Sequence, residues 1–417
     1  MYKVNSRNSM RNDCRTKEIN GWQKPKSSDG IISHASNTGI DDLKEVLPTN
    51  LRCRLGLVTI NLKSKDCLRL LGGVLTVIAL IVFYNSLTEP STTSPRRLIQ
   101  ASGESVYPLT KSLAIPNGKK YKIGIITDLD HNSKVKDSLW KSLYLKGYLV
   151  IHGGVEFDVQ FDSAPIELYS SLGQGGRGME LSELVVFHGH VIAVDDRTGV
   201  LYKIMESNAV PWVILSDGPG NSTKGFKCEW ASVKDGYLYV GGLGKEWTST
   251  TGEVVNLHPQ YVKRVSPEGA VEHLDWHSHY NAMRKKAGFS SPGYMIHESG
   301  VWSNVHRRWY FLPRRASTKV YDDKLDERRA TNILITCDET FADIQVVQPF
   351  GPPSETHGFS SFKFIPATSD RYILALKSEE DNGKIASYIM VLDLKGNMIM
   401  REKQIFGSYK YEGVEFV

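Results

Sequence analysis

Cysteine is scarce: five occur in 417 residues and none forms a CxxC pair, which excludes a disulfide-stapled scaffold and argues against structural zinc. Sustained helical periodicity is also missing after residue 120, Asp137 to Leu145 apart, so a helical bundle is not expected. The body of the chain lacks a basic surplus as well. Net charge is +5, but residues 1–69 alone hold 13 Lys and Arg against 7 Asp and Glu, leaving −1 for everything that follows. That balance offers no electrostatic footprint for nucleic acid, and no nucleic-acid partner is expected. What is present, 41% hydrophobic and 23% charged residues, is an ordinary globular composition.

One long apolar run stands out. Leu70 to Leu87 is an uncharged stretch of 18 residues, long enough to cross a hydrocarbon core as a helix. Arg52, Arg54, Lys63, Lys65 and Arg69 precede it, whereas Arg96 and Arg97 are the cations that follow closely. By the positive-inside rule the N-terminus then stays in the cytosol. The expected organisation is a largely disordered basic tail over 1–69, a transmembrane signal-anchor over 70–88, a stem over 89–118 and a folded domain over 119–417. The folded domain would face the lumen of the endoplasmic reticulum or Golgi, or be secreted after cleavage in the stem. Asn221-Ser222-Thr223 is a glycosylation acceptor in that compartment. Cys228 and Cys337, the two cysteines of the folded part, are expected to pair there as a disulfide, with two buried thiols as the alternative.

From Tyr121 onward, short apolar runs alternate with tight-turn dipeptides, the pattern of an all-β domain. Four segments share one layout of lead residue, strand, turn and return strand ending in a cation: ELSELVVFHGHVIAVDDR, EWASVKDGYLYVGGLGK, ESGVWSNVHRRWYFLPR and SSFKFIPATSDRYILALK. The leads are Ser182, Glu229, Glu298 and Ser361, and the cations are Arg197, Lys245, Arg314 and Lys377. A strand out and a strand back return to the same level, so lead and cation fall at one end of a hairpin. Glu412 leads a final strand that has no return, and Tyr121 to Asp130 is a return strand with no lead. Joining them gives a fifth unit and a five-bladed β-propeller closed by the C-terminal strand.

With lead strands innermost, Ser182, Glu229, Glu298, Ser361 and Glu412 converge on one axis. Three carboxylates so placed repel unless a cation neutralises them, and an oxygen-only set suits Ca²⁺. Arg177, Arg197, Lys245, Arg314, Arg315 and Lys377 would form a cationic ring suited to phosphate oxygens. In the fifth unit Asp128 and Asp130 replace the cation and could orient or deprotonate a water. Trp247 or Tyr280 could stack a base. His152, His188, His190, His297 and His357 are further candidate bases, although His297, beside Glu298 on an inner strand, reads as structural.

The segments GRGMELS, VDDRTG, YVGGLGKEWT, GYMIHES, FLPRRAS, THGFSSFKF, ALKSEED and KYEGVEF closely resemble the calcium-activated nucleotidases, which include salivary apyrases of blood-feeding insects, and the resemblance spans roughly residues 105 to 417. It implies a five-bladed propeller, a central Ca²⁺ on Ser182, Glu229, Glu298, Ser361 and Glu412, and hydrolysis of nucleoside di- and triphosphates such as UDP and GDP to monophosphates. The TDLD segment matches a family motif, which implies water or phosphate handling for Asp128 and Asp130, with Arg314 beside them. Two alternatives stay open: a Ca²⁺-dependent lactonase or esterase, and a non-catalytic Ca²⁺-binding interaction module. Base preference and oligomeric state are not readable from the sequence.

Overall fold

The computed structural model describes residues 50–55, 58–63 and 107–417. Within an N-terminal unit, Asn50–Leu55 and Val58–Lys63 pair as an antiparallel hairpin, in a stretch where the sequence suggested no element. Leu70–Leu87 and most of the stem lie outside the described residues. Among the described residues no helix is long and apolar enough to cross a membrane.

The second unit is a ring of β-sheets. Blade I comprises Leu181–Phe187, His190–Asp195, Val200–Met205 and Asn208–Ile214. Blade II comprises Trp230–Lys234, Tyr237–Gly241, Tyr261–Val265 and Val271–Asp275. Blade III is built from Tyr294–Ser303, Arg308–Ser317, Leu334–Cys337 and Ile344–Val347, and blade IV from His357–Phe364, Tyr372–Asp381, Lys384–Asp393 and Met398–Gln404. Blade V is a larger sheet of seven strands, in which the inner strand Lys410–Phe416 pairs with Gly118–Asp128 and that strand pairs with Leu139–His152. The first strand of each blade lies against the first strand of the next, and Lys410–Phe416 meets Leu181–Phe187, so the ring closes as the sequence predicts.

Turn chemistry sets the hairpins. His188 and Gly189 have φ of 45° and 75°, and Asp235 and Gly236 have 49° and 79°. Both pairs form two-residue loops with the doubly positive φ that matches strand twist. Each gap between neighbouring blades is filled by its own apolar cluster, with Trp230, Trp309 and Phe311 between blades II and III and Ile125, Leu376 and Val414 between blades V and IV. Because alternate residues of a strand face opposite sides, every blade feeds two clusters, and the ring is held together by burial around its whole circumference.

Three expectations are corrected. Asp137 to Leu145 has a helical period but most of it falls in the strand Leu139–His152, whose register is fixed by nine pairings running from Gly118↔His152 to Ile126↔Tyr144. Among the described residues the longest helix, His277–Lys286, lies instead in the WHSHYN region. Cys228 and Cys337 are buried free thiols. They sit in different interfaces, Cys228 between blades I and II and Cys337 between blades II and III, so no disulfide joins them. The end of the presumed stem is already folded, since Leu113–Ile115 pairs with Gly118–Lys120.

Candidate active site at the mouth of the central axis

Three of the lead residues, Ser182, Glu298 and Glu412, occupy places where inner strands break register. In blade I, Val194 pairs with Glu183 and Asp195 with Leu181, leaving Ser182 as the extra residue. In blade V, Thr127 pairs with Tyr411 and Ile126 with Gly413, which leaves Glu412 unpaired. In blade III the ladder jumps between His297 and Gly300 and passes over Glu298 and Ser299. A bulge of this kind bends the strand and re-aims one side chain, here toward the axis. Close approach of the strands is secured by glycine. A Cβ on Gly413 would lie 2.6 Å from the Glu183 Cα, and one on Gly358 would lie 2.4 Å from the Arg314 Cγ.

Glu229, Glu298 and Glu412 are thereby gathered with basic partners. Arg314, 3% exposed, hydrogen-bonds Glu298, reaches Glu412 Oε1 at 2.9 Å and pairs with Glu380 Oε2 at 2.6 Å. Lys227 Nζ lies 2.7 Å from Glu229 Oε1 and also contacts Asp196. Lys410 Nζ lies 2.6 Å from Asp128 Oδ2, 2.8 Å from Asp130 Oδ2 and 3.8 Å from Glu412 Oε1. Arg177 closes the rim on Asp130 at 3.0 Å and on Glu180. Asp128, Asp130 and Glu180 each offer an oxygen within 4.8 Å of the others.

Burial drives the proton affinities here. It pushes Glu229 up to about 8, against the pull of Lys227 and with Glu298 adding to it. Burial likewise raises Glu412 well above the ordinary range, with Glu298 and Asp128 contributing. Glu180 is raised to about 8 by burial and by Asp196, and Asp128 to about 6 by burial despite Lys410. Burial would also raise Asp130, but Lys410 and Arg177 carry it below its usual value. Carboxyl groups outnumber their basic partners at the mouth, and burial favours the protonated form of several of them.

The donor set fits a hard divalent cation. Its ligand atoms are oxygens, and the buried Ser182 Oγ has no hydrogen-bond partner. Ser361 differs. Its Oγ lies 2.9 Å from both carboxylate oxygens of Glu183 and accepts from Val414 N at 3.2 Å, while Ser360, passed over by the blade IV ladder, has an unpartnered Oγ.

The expected cationic ring is only partly assembled. Arg177, Arg314 and Arg315 meet at the mouth with Glu180, Glu298 and Glu380. Arg197, half-buried, follows the strand end at Asp195. Lys245 is buried, bonds the Glu246 carbonyl and Thr248, and lies over the Tyr321 ring, and burial lowers it to about 8. Lys377 pairs with Phe359 rather than Ser361 because of the bulge at Ser360; it is fully buried over the Phe359 ring, with its ammonium 3.5 Å from the Pro352 carbonyl. These two lysines are not open phosphate donors here. Trp247 is half-buried and Tyr280 is core, bonded by Trp230. His297 is also core, held neutral by burial with a value of about 3, as its position beside Glu298 suggested. Asn221 is exposed in a turn.

Sequence reasoning missed Lys227, Lys410, Glu180, Asp196 and Glu380. A signal was available for the two lysines: Lys227-x-Glu229 and Lys410-x-Glu412 repeat one dipole in two blades. Beside the mouth, a cleft of about 390 Å³ is lined by Asp128, Asp130, Asn132, Lys141, Tyr409 and Lys410, among others. Deeper along the axis, Lys363 Nζ pairs with Glu183 at 2.9 Å, and Glu415 accepts from Tyr107 Oη at 2.9 Å and Val186 N at 3.0 Å.

Residues 129–417 match the Apyrase family. The chain is 54% identical over 313 residues to "Soluble calcium-activated nucleotidase 1" of Rattus norvegicus, covering 75% of this chain and 77% of the relative. It is 49% identical over 302 residues to "Apyrase apy-1" of Caenorhabditis elegans, covering 72% and 84%, and 41% identical over 325 residues to "Apyrase" of Cimex lectularius, covering 76% and 89%.

Proposed function

The chain belongs to the Apyrase family, and from that premise we propose that it is a nucleotide-hydrolysing enzyme which, with Ca²⁺, splits nucleoside di- and triphosphates to monophosphates and phosphate. The observation that carries this reading is Arg314 bridging Glu298 and Glu412 at one mouth, with Glu229 on Lys227 near enough to Glu298 to feel its charge, beside a cleft that Asp128 and Asp130 line. Ser182, Glu229, Glu298 and Glu412 would hold the ion, which supplies fixed positive charge to phosphate oxygens; a contribution from Ser361 would have to come from its backbone, since its hydroxyl is taken up by Glu183.

Around it the protein's own groups divide the work. Arg177 and Arg315 edge the mouth and would orient the phosphates, with Arg197 a further candidate, and Arg314 presents a charged fork on the axis. Asp128, whose carboxyl sits near 6, is the better proton acceptor at neutral pH. Asp130, held ionised by Lys410, would orient the attacking water. Attack on the terminal phosphorus breaks its bond to the bridging oxygen and releases phosphate, with no covalent intermediate on the protein. A phosphate-release assay on the purified full chain with UDP, GDP, ADP and ATP, each with Ca²⁺, Mg²⁺ or chelator, tests this. Turnover that is indifferent to chelator, or absent for every nucleotide, would overturn it.

We also infer that Leu70–Leu87 anchors the chain with the propeller on the lumenal side of the endoplasmic reticulum or Golgi membrane. Protection of the propeller from added protease in sealed microsomes, with a mobility shift on removing glycan from Asn221, is the expected result.

A further inference from the structure

The carboxylates assigned to the divalent ion already have basic partners. Lys227 is the most telling of these. Its ammonium bridges two acids, contacting Asp196 and lying 2.7 Å from Glu229 Oε1, while its side chain is still 26% exposed at the mouth. Asp196 is 9% exposed and its Oδ1 is buried without a hydrogen-bond partner. Asp196 is also tied by its backbone to the rim, donating from N to the Glu180 carbonyl at 3.0 Å.

A doubly charged ion on Glu229 and an ammonium 2.7 Å from the same carboxylate repel one another, and Glu229 Oε1 has no hydrogen bond to hold the ammonium there. Lys227 can yield Glu229 without becoming an unpaired buried charge, because Asp196 keeps hold of it and offers a second, free oxygen. Its exposed edge then faces the side from which a polyphosphate must arrive. We propose that Lys227 is a displaceable counterion, which hands Glu229 to the divalent cation and turns to the nucleotide phosphates, so that cation and nucleotide bind cooperatively. The inference rests on the calcium-dependent reading above and assigns Lys227 a positioning role in it. By reciprocity, nucleotide must tighten cation binding by the same factor that the cation tightens nucleotide binding.

Calorimetric titration of the purified full chain with Ca²⁺, with and without a methylene-bridged nucleoside diphosphate that cannot be cleaved, tests the coupling. In the wild-type chain the analogue should tighten Ca²⁺ binding on the order of tenfold. Lys227→Met should bind Ca²⁺ more tightly than wild type without the analogue, by a similar factor, and should lose the tightening with it. Lys227→Arg, which keeps the charge, should retain most of the coupling. A purely structural lysine would do the opposite, because its loss would weaken cation binding. Lys227→Gln guards against misfolding, with cooperative melting in chelator as the check. Unchanged or weaker Ca²⁺ binding in a cooperatively melting Met or Gln variant overturns the proposal. A wild-type chain that binds and needs Ca²⁺ but shows no tightening by the analogue overturns it alone, whereas one that binds no Ca²⁺ overturns the calcium-dependent reading with it.

Discussion

The two levels of the propeller axis use the same residue types to opposite ends. At the deeper level each acid has its own partners: Glu183 has Lys363 and Ser361, and Glu415 has Tyr107 and two backbone N–H groups. At the mouth, Glu229, Glu298, Glu412, Asp128, Asp130, Glu180, Asp196 and Glu380 share Arg177, Lys227, Arg314, Arg315 and Lys410. Matching makes a core element, whereas surplus makes a site that a cation can complete. The unpartnered oxygens of Ser182 and Asp196 lie on the surplus side.

The sharpest way to break this contrast is to remove one surplus acid and one matched base. Glu298→Gln should lower nucleotide hydrolysis by about 100-fold or more and weaken Ca²⁺ binding with it, while its melting temperature in chelator holds or rises. Asp128→Asn should lower kcat by about 100-fold or more while leaving the calorimetric Ca²⁺ affinity near wild type, which separates water handling from cation holding. Lys363→Met should do the reverse of Glu298→Gln. Above the Glu183 titration range it strands that carboxylate as an uncompensated buried charge, and it should cost about 3–5 kcal/mol in urea unfolding at alkaline pH, with Ca²⁺ affinity unchanged in the folded fraction.

The matched level also sets a pH signature. Burial raises the Glu183 carboxyl from its ordinary 4.5 to about 7, only partly offset by Lys363. The folded chain therefore holds a proton that the unfolded chain has released between those values, and this acid's contribution to stability falls as pH rises from about 4.5 to about 7. Glu183→Gln should flatten that part of the stability profile measured in chelator. An unchanged slope would show that Glu183 does not titrate in that window. The smallest effect is expected from Tyr107→Phe, which removes one bond to Glu415 but leaves its backbone donors in place, at about 1 kcal/mol.

Much of this was legible in the chain before any coordinates. Out-and-back strand lengths place Ser182, Glu229, Glu298 and Glu412 at one end of the ring, and Glu412 with Asp128 at the blade closed by both ends of the domain. The failures trace to features without a local signature. A one-residue bulge at Ser360 moved Lys377 opposite Phe359 and into the core. The apolar spacing of Asp137 to Leu145 mimics a helix because both faces of Leu139–His152 are covered, so the strand shows no alternation. Lys227 and Lys410 were overlooked because a cation two residues before an acid reads as surface charge until Lys410 proves buried and Lys227 half-buried against the axis.

The closure of blade V has a consequence for synthesis. Of the five innermost strands, Lys410–Phe416 leaves the ribosome last, and it carries Lys410 and Glu412. A nascent chain halted short of it has neither a sealed circle nor a full set of acids, so an interrupted translation product would be inert rather than half-active. Competence to cleave substrate thus doubles as a mark that the polypeptide was read through the strand that seals its ring.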